Sequence, residues 1–283
     1  MFNDLQITFI GSGTMSEVMI RGLLSQKVVR ANQIVASDPL ESRRTQMQNM
    51  YSVHITSDNI EAVQGASIVV LSVKPQVLGR VSSVLKSQIH PTALVLSIVA
   101  GASISFLRQG LNHAGIVRAM PNIPAQVGMA ATVWIATPEV TDEQRLLVKA
   151  ILQSLGEEIA VQSENYINMA TGLSGAGPGF VFLFLEAMID AGVQMGFSRA
   201  EAQKLTLQTI AGSVELMRQS SEHPAVLRSK VTSPGGATAA GIYELERRGM
   251  RTAICDAVYA AFQRTQELGE LIACHNLQQL SGN

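Results

Sequence analysis

Two glycine-rich turns hold the residue types that anion chemistry needs. Gly11-Ser12-Gly13-Thr14-Met15-Ser16 follows directly on the apolar run 7–10, and Ser233-Pro234-Gly235-Gly236-Ala237-Thr238 stands directly before a helical stretch. In a strand–turn–helix unit the first glycine permits the tight turn, and the second lets the backbone approach a pyrophosphate. The helix start then offers free N–H groups and a favourable dipole. The usual third glycine is replaced here by Ser16, still small enough for close helix–strand packing. The first turn therefore reads as a dinucleotide cradle, although a plain helix-capping turn shares its look. The second offers backbone N–H groups and two hydroxyls at a helix start, which suits a small carboxylate. Together they imply a redox enzyme for a small carboxylic acid.

Other candidate residues lie at expected strand ends. Ser37-Asp38 closes the run 34–37; an acidic residue there accepts a hydrogen bond from a ribose 2′-hydroxyl and repels a 2′-phosphate. Arg43 and Arg44, just beyond, suit that phosphate instead, or form a solvated helix face. Ser37 and Asn59 suit either coenzyme. The run 68–73 leads into Lys74-Pro75-Gln76, so Ser72, Val73, Lys74 and Pro75 are expected to border the cofactor, and Ala100-Gly101 occupies a similar place. Thr171-Gly172-Leu173-Ser174-Gly175-Ala176-Gly177-Pro178 reads as a further anion-holding turn opening a long helix, or as close backbone packing between helices.

These positions need elements to hold them. The first half alternates β-rich and helical runs, the pattern of a parallel α/β sheet. Strands are expected at 7–10, 34–37, 68–73, 94–97, 115–119 and 132–136, with helices at 15–25, 41–49, 76–87, 104–111 and 141–155. After about residue 162 the β-branched runs stop. Helices are expected at 178–195, ended by Gly196, then from the cap Ser198 to 219, at 224–230, 237–248 and 251–271. The expected fold is thus α/β: an N-terminal Rossmann-type doubly wound sheet over 1–162, then an all-α domain over 163–283. Residues 179–185 are apolar on every face, more than a surface helix needs, which points to the middle of a bundle shared between two subunits.

Composition narrows the class. With 47% hydrophobic and 15% charged residues a large core is available. A net charge of -1 gives no argument for nucleic acid or a membrane surface. Cys255 and Cys274 show no metal or disulfide spacing and read as packed thiols. The N-terminal residues lack a signal-peptide pattern, and no uninterrupted apolar run approaches a membrane span, so a soluble cytoplasmic protein is expected. His54, His90, His113, His223 and His275 form no catalytic pattern and read as structural or surface residues.

The set GSGTMS, VKPQ, AMPNIPAQVG (119–128), TGLSGAGP and SPGGAT, in this order and spacing from about residue 5 to 272, resembles the Δ1-pyrroline-5-carboxylate reductase family. TGLSG and SPGGAT are far more specific than the glycine loop. The resemblance implies hydride transfer from NADPH, or NADH, to the C=N carbon of a cyclic imino acid, giving L-proline as the last step of proline biosynthesis. It implies cofactor binding by Gly11, Ser12, Gly13, Thr14, Met15, Ser16, Ser37, Asp38, Asn59, Ser72, Val73, Lys74, Pro75 and Ala100. It implies substrate binding by Ser233, Gly236, Ala237 and Thr238, with Glu164 close by, and no metal. It also implies a homodimer through the helical domain, with a decamer of dimers as the larger alternative. Asp38 departs from the small hydroxyl residue of NADP-preferring members and leaves the coenzyme open.

A protonated C=N needs no strong base, so the site must orient the imine and stabilise a small anion. Thr238 is the residue expected to touch the imine nitrogen, as hydrogen-bond partner and proton relay. A β-hydroxyacid dehydrogenase would carry a lysine on the first long helix of its second domain, and no lysine lies between Lys149 and Lys204. Reduction of another cyclic imine would leave the same cradle residues, whereas a non-catalytic nucleotide-binding paralogue would usually lose one of the two cradles, and both are present here.

Overall fold

The computed structural model describes the backbone of residues 5–281 and the side chains of residues 5–269. Cys274 and His275 lie outside the described side chains. Contacts divide the chain into two compact units, one running up to Ala176 and resuming at Ala260, the other Gly177–Tyr259.

The first unit is built on one sheet of β1 (Ile7–Ile10), β2 (Ile34–Ser37), β3 (His54–Thr56), β4 (Ile68–Leu71), β5 (Leu94–Ser97), β6 (Ile116–Met120), β7 (Ala130–Ala136) and β8 (Gly156–Ala160). The strand order is β3-β2-β1-β4-β5-β6-β7-β8. Every pair is parallel except β6 with β7. Its helices are α1 (Thr14–Ser25), α2 (Glu41–Tyr51), α3 (Asn59–Val63), α4 (Pro75–Leu85), α5 (Ile104–Leu111), α6 (Asp142–Gln153) and α7 (Asn165–Ala170). The order reverses between β1 and β4, the switch point where doubly wound sheets bind ligands beyond their strand ends.

All residues of β1, β4 and β5 are buried. Helices cover both faces, so these strands are apolar at nearly every position, with Thr8 and Ser97 the buried exceptions, rather than alternating. Side chains at successive positions point to opposite faces. Ile68 and Val70 accordingly join one buried cluster with Phe9, Leu23 and Trp134, while Val69 and Leu71 join another with Leu78, Phe106 and Leu107.

β3 and β8 were not expected from sequence, nor was α3, which Asp58 caps by accepting from the N–H of Ile60 and Glu61. β3 has three residues, none buried, and β8 carries Glu157 and Glu158; as the two sheet edges they lack the apolar signal of central strands. The expected 68–73 strand stops at Leu71.

The glycine-rich 171–178 segment is not an open turn. Thr171–Gly175 is a π-helical turn that runs on from α7 and closes with Ala176 N–H donating to the Thr171 carbonyl at 2.8 Å. Its N–H groups are therefore used within the helix. The glycine at 172 serves packing: a Cβ there would lie 2.9 Å from the backbone nitrogen of Phe262.

In the second unit, α8 (Gly177–Gln194) packs on α9 (Arg199–Gln219), where a Cβ on Gly192 would meet the Ala202 Cβ at 2.9 Å. Ser198 and Glu201 form the expected capping box on α9. α10 (Pro224–Lys230) and α11 (Ala237–Arg247) follow, and α12 (Met250–Ser281) leads out of this unit. Little of this unit is buried: Gly192 alone on α8, Ala202 and Thr206 on α9, nothing on α10 or α11. Phe182 and Leu183 are 59% and 68% exposed. Cys255, expected to be packed, is free and exposed. The helical run Asn165–Gln194 is long and apolar enough to cross a membrane by length and average composition, although Glu186 and Asp190 interrupt its apolar residues as the sequence indicates.

Candidate functional site

The predicted cofactor residues of the first unit lie at the C-terminal ends of β1, β2 and β4, with Asn59 following β3 and Ala100 following β5. Gly11 has φ +90°, a left-handed conformation that costs a side-chain-bearing residue strain, and a Cβ there would lie 2.9 Å from Val73 Cγ1. Its N–H donates to the Ser37 carbonyl at 2.9 Å, which ties β1 to β2. The Ser16 hydroxyl donates to the Gly11 carbonyl at 2.5 Å and lies 2.5 Å from Ser72 Oγ. Ser72 in turn reaches the Gly11 carbonyl at 2.8 Å. The serine that replaces the third glycine thus laces the turn to the end of β4.

Gly13 caps α1 without any side chain accepting from the helix, and a Cβ built on it meets nothing within 4 Å. The first N–H groups of α1 have no intrahelical acceptor, so they point with the helix dipole into an open approach. Those observations fit a dinucleotide pyrophosphate. Pro75 starts α4 with Lys74 as its exposed cap residue, and Ala100 lies exposed beyond β5.

The β2 end is dense with polar contacts. Ser37 Oγ donates to Asn59 Oδ1 at 2.7 Å. Asp38 accepts from the Ser12 N–H at 2.9 Å and from the Leu40 N–H at 2.9 Å. Arg43 is not a solvated face residue: it donates to the Ser12 carbonyl at 2.7 Å and pairs with Glu17 at 2.9 Å. Arg44 donates to the carbonyls of Asp38 and Pro39 at 2.7 and 2.9 Å. Tyr51 donates to Glu17 at 3.1 Å, and burial followed by that carboxylate pushes its hydroxyl pKa up.

Glu164 precedes α7 and accepts from Arg118 at 2.6 Å and from the Ile104 N–H at 2.8 Å. Arg118, on β6, is 4% exposed and also donates to Asn168 at 3.3 Å. These side chains line a cavity of about 370 Å³ with Gly101, Ser103 and Thr265. Arg118 was missed from sequence, though an arginine inside the apolar strand Ile116–Met120 signals a buried charge that must be paired. Asn122 pins the neighbouring segments: its side chain donates to the Ser174 carbonyl and accepts from the Ala131 N–H, both at 2.9 Å. His113 is buried with Nε2 2.7 Å from the Ala93 carbonyl, and burial lowers its pKa. His223 caps α10, and His54 and His90 are exposed.

In the second unit, Gly235 has φ +70° and Gly236 caps α11 with no side-chain bond. A Cβ on Gly236 would lie within van der Waals overlap of Ser233 Oγ. The N–H groups of Ala237 and Thr238 open α11 beside that hydroxyl, and Thr238 is exposed. No group of three or more His, Cys, Asp or Glu suited to a metal occurs among the described residues.

Comparison with known proteins fits this arrangement. Over 267 residues the chain is 42% identical to pyrroline-5-carboxylate reductase of Synechocystis sp., covering 94% of this chain and 99% of that protein. The chain belongs to the pyrroline-5-carboxylate reductase family. The same name belongs to a relative from Arabidopsis thaliana, 35% identical over 94% of this chain and 96% of that protein. Residues 164–268 match the family model for pyrroline-5-carboxylate reductase dimerisation, and residues 6–101 that for NADP oxidoreductase, coenzyme F420-dependent. Among solved structures, the pyrroline-5-carboxylate reductase of Coxiella burnetii superposes with a TM-score of 0.87 at 35% identity, over 94% of this chain and 99% of that one. The Plasmodium falciparum enzyme, solved with NADP bound, gives 0.86 at 30% identity, over 94% and 99%.

Proposed function

We propose that the protein reduces 1-pyrroline-5-carboxylate to L-proline with NADPH, and that it works as a cytoplasmic homodimer. The observation that carries this reading is the whole-length kinship with reductases of that name. The dimerisation model over 164–268 supports the division of labour proposed here: residues 1–162 hold the dinucleotide, and residues 163–283 hold the substrate and the partner subunit. The exposed apolar side chains of α8, Phe182 and Leu183 among them, support the partner's place.

NADPH, when bound, supplies hydride to the imine carbon. The residues proposed to hold it are Gly11, Ser12, Gly13, Thr14, Met15 and Ser16 around the pyrophosphate, and Ser37, Asp38 and Asn59 at the adenosine ribose. Ser72, Val73, Lys74, Pro75 and Ala100 would line the nicotinamide side. The substrate carboxylate would rest on the α11 N-terminus among Ser233, Gly236 and Ala237, where orphan N–H groups and the dipole favour an anion. The Thr238 hydroxyl would hydrogen-bond the ring nitrogen and relay to it a proton from solvent, so that imine, hydride and proton together give the amine. Glu164, paired with Arg118 at 2.6 Å, is the further residue proposed near the substrate. NADH as an alternative coenzyme, and a decamer of dimers, are finer readings of the same proposal.

The test is loss of nicotinamide absorbance when purified protein meets 1-pyrroline-5-carboxylate, with NADPH and NADH run in parallel and proline identified as product. Thr238→Ala is expected to lower kcat by about a hundred-fold or more. Unchanged kcat and KM in that variant would remove Thr238 from the mechanism. Dinucleotide binding without turnover would favour another imine or a non-catalytic relative.

A further inference from the structure

We propose that Arg43 and Asp38 form a clamp on the glycine loop, so that Arg43 shapes the pyrophosphate cradle for both coenzymes alike and does not read the 2′ position. The inference rests on the dinucleotide reading of that loop. Sequence alone leaves Arg43 as a partner for a 2′-phosphate or a surface residue; the contacts give it a different task.

Two successive peptide groups of the loop are held from the β2–α2 side. The Gly11–Ser12 peptide donates its N–H to Asp38 Oδ2 at 2.9 Å. The Ser12–Gly13 peptide accepts at its carbonyl from Arg43 Nε at 2.7 Å. A trans peptide sets its C=O and N–H in opposite directions. Fixing the Ser12 carbonyl toward Arg43 therefore turns the Gly13 N–H away from it, toward the helix start where a pyrophosphate would be received. Ser12 itself is fully buried, so this orientation is not available to solvent for relaxation.

The guanidinium is committed elsewhere as well. Its Nη2 pairs with Glu17 at 2.9 Å on α1 and its Nη1 donates to Gln46 at 2.7 Å. The other Glu17 oxygen accepts from Tyr51 at 3.1 Å. Arg43 thus joins the loop, α1 and α2 through one planar fork, a geometry that lysine does not reproduce. Asp38 is likewise engaged on both oxygens, by Ser12 and Leu40 N–H groups.

Fluorescence titration of Arg43→Met with NADPH and with NADH, beside a thermal melt, separates the possibilities. The clamp predicts that both dissociation constants rise by the same factor, about ten-fold, with their ratio kept. Weakening of NADPH alone would make Arg43 a phosphate partner and overturn the proposal. A lower Tm with both constants unchanged would reduce it to packing and also overturn it. Arg43→Lys and Glu17→Gln serve if the methionine variant fails to fold; each loses part of the fork and is expected to weaken both coenzymes equally. Wild-type protein that binds neither dinucleotide would remove the reading of the loop itself, an outcome distinct from any loss of the clamp alone.

Discussion

The two cradles solve one problem in opposite ways. At the sheet, Gly11–Gly13 is held by residues far away in sequence: Ser37, Asp38 and Arg43 from the β2 side, Ser72 from β4. Around α11, the turn is local; Gly236 N–H donates to the Ser233 carbonyl at 3.0 Å, and Ser233 Oγ occupies the place a Cβ on Gly236 would take. The first is finished by its own chain, with Ser12 and Ser16 fully buried. The second belongs to a unit whose apolar side chains are largely uncovered. Under the proposed roles, the cofactor's turn has a shape set by tertiary contacts, whereas the turn proposed for the carboxylate has one set by a short local loop.

Breaking the first cradle has the largest expected effect. Gly11→Val places a branched side chain at φ +90° against Val73 and the Ser72 carbonyl, and is expected to weaken NADPH binding more than about a hundred-fold by fluorescence titration. If the variant binds normally, the loop is not a dinucleotide cradle. Leu183→Glu on the exposed face of α8 should convert the dimer to monomers in sedimentation, while dinucleotide affinity of the sheet unit stays unchanged. Gly236→Ala should raise the KM for the imino acid about ten-fold with the NADPH dissociation constant unmoved, because only the local turn is disturbed. A matching loss of NADPH affinity would show that the two cradles are not separable.

The smallest effect is a stability term inside the sheet unit. Burial lowers the His113 pKa below 6.5, so the unfolded chain binds the proton first as pH falls. Stability from a neutral His113 is therefore complete above pH 6.5 and declines as pH drops from there toward the folded value. His113→Gln should flatten the Tm-against-pH curve below pH 6.5 while leaving turnover near neutral pH intact. An unchanged slope would assign the acid sensitivity to other groups.

How far sequence could read these regions follows from the same contrast. β1, β2 and β5 are where the apolar runs 7–10, 34–37 and 94–97 place them, and Ser198 caps α9 as its spacing implies. Apolar runs and capping residues act locally, so a single chain displays them. The edge strands β3 and β8 were invisible because an edge buries little, and β8 instead places Glu158 where Trp134 Nε1 can donate to it at 2.6 Å. Gly172 and its neighbours looked like an anion turn because glycine marks both turns and close packing; only the approach of Phe262 tells them apart. The roles of Arg43 and Arg118 were hidden for a related reason. Their partners, Ser12 and Glu17 for one and Glu164 for the other, lie far along the chain, and charge pairing at that range leaves no periodic trace.

The return of the chain to the sheet unit at Ala260 has a consequence for the order of its making. Gly172 is fitted against the backbone of Phe262, and the polar cavity beside Arg118 is walled in part by Thr265 and Gln266. A ribosome must therefore deliver the whole intervening helical unit before the sheet unit receives its last pieces. Until then the nascent sheet unit waits with the groove of Gly172 open, and closing it is a long-range event of the kind that slows folding.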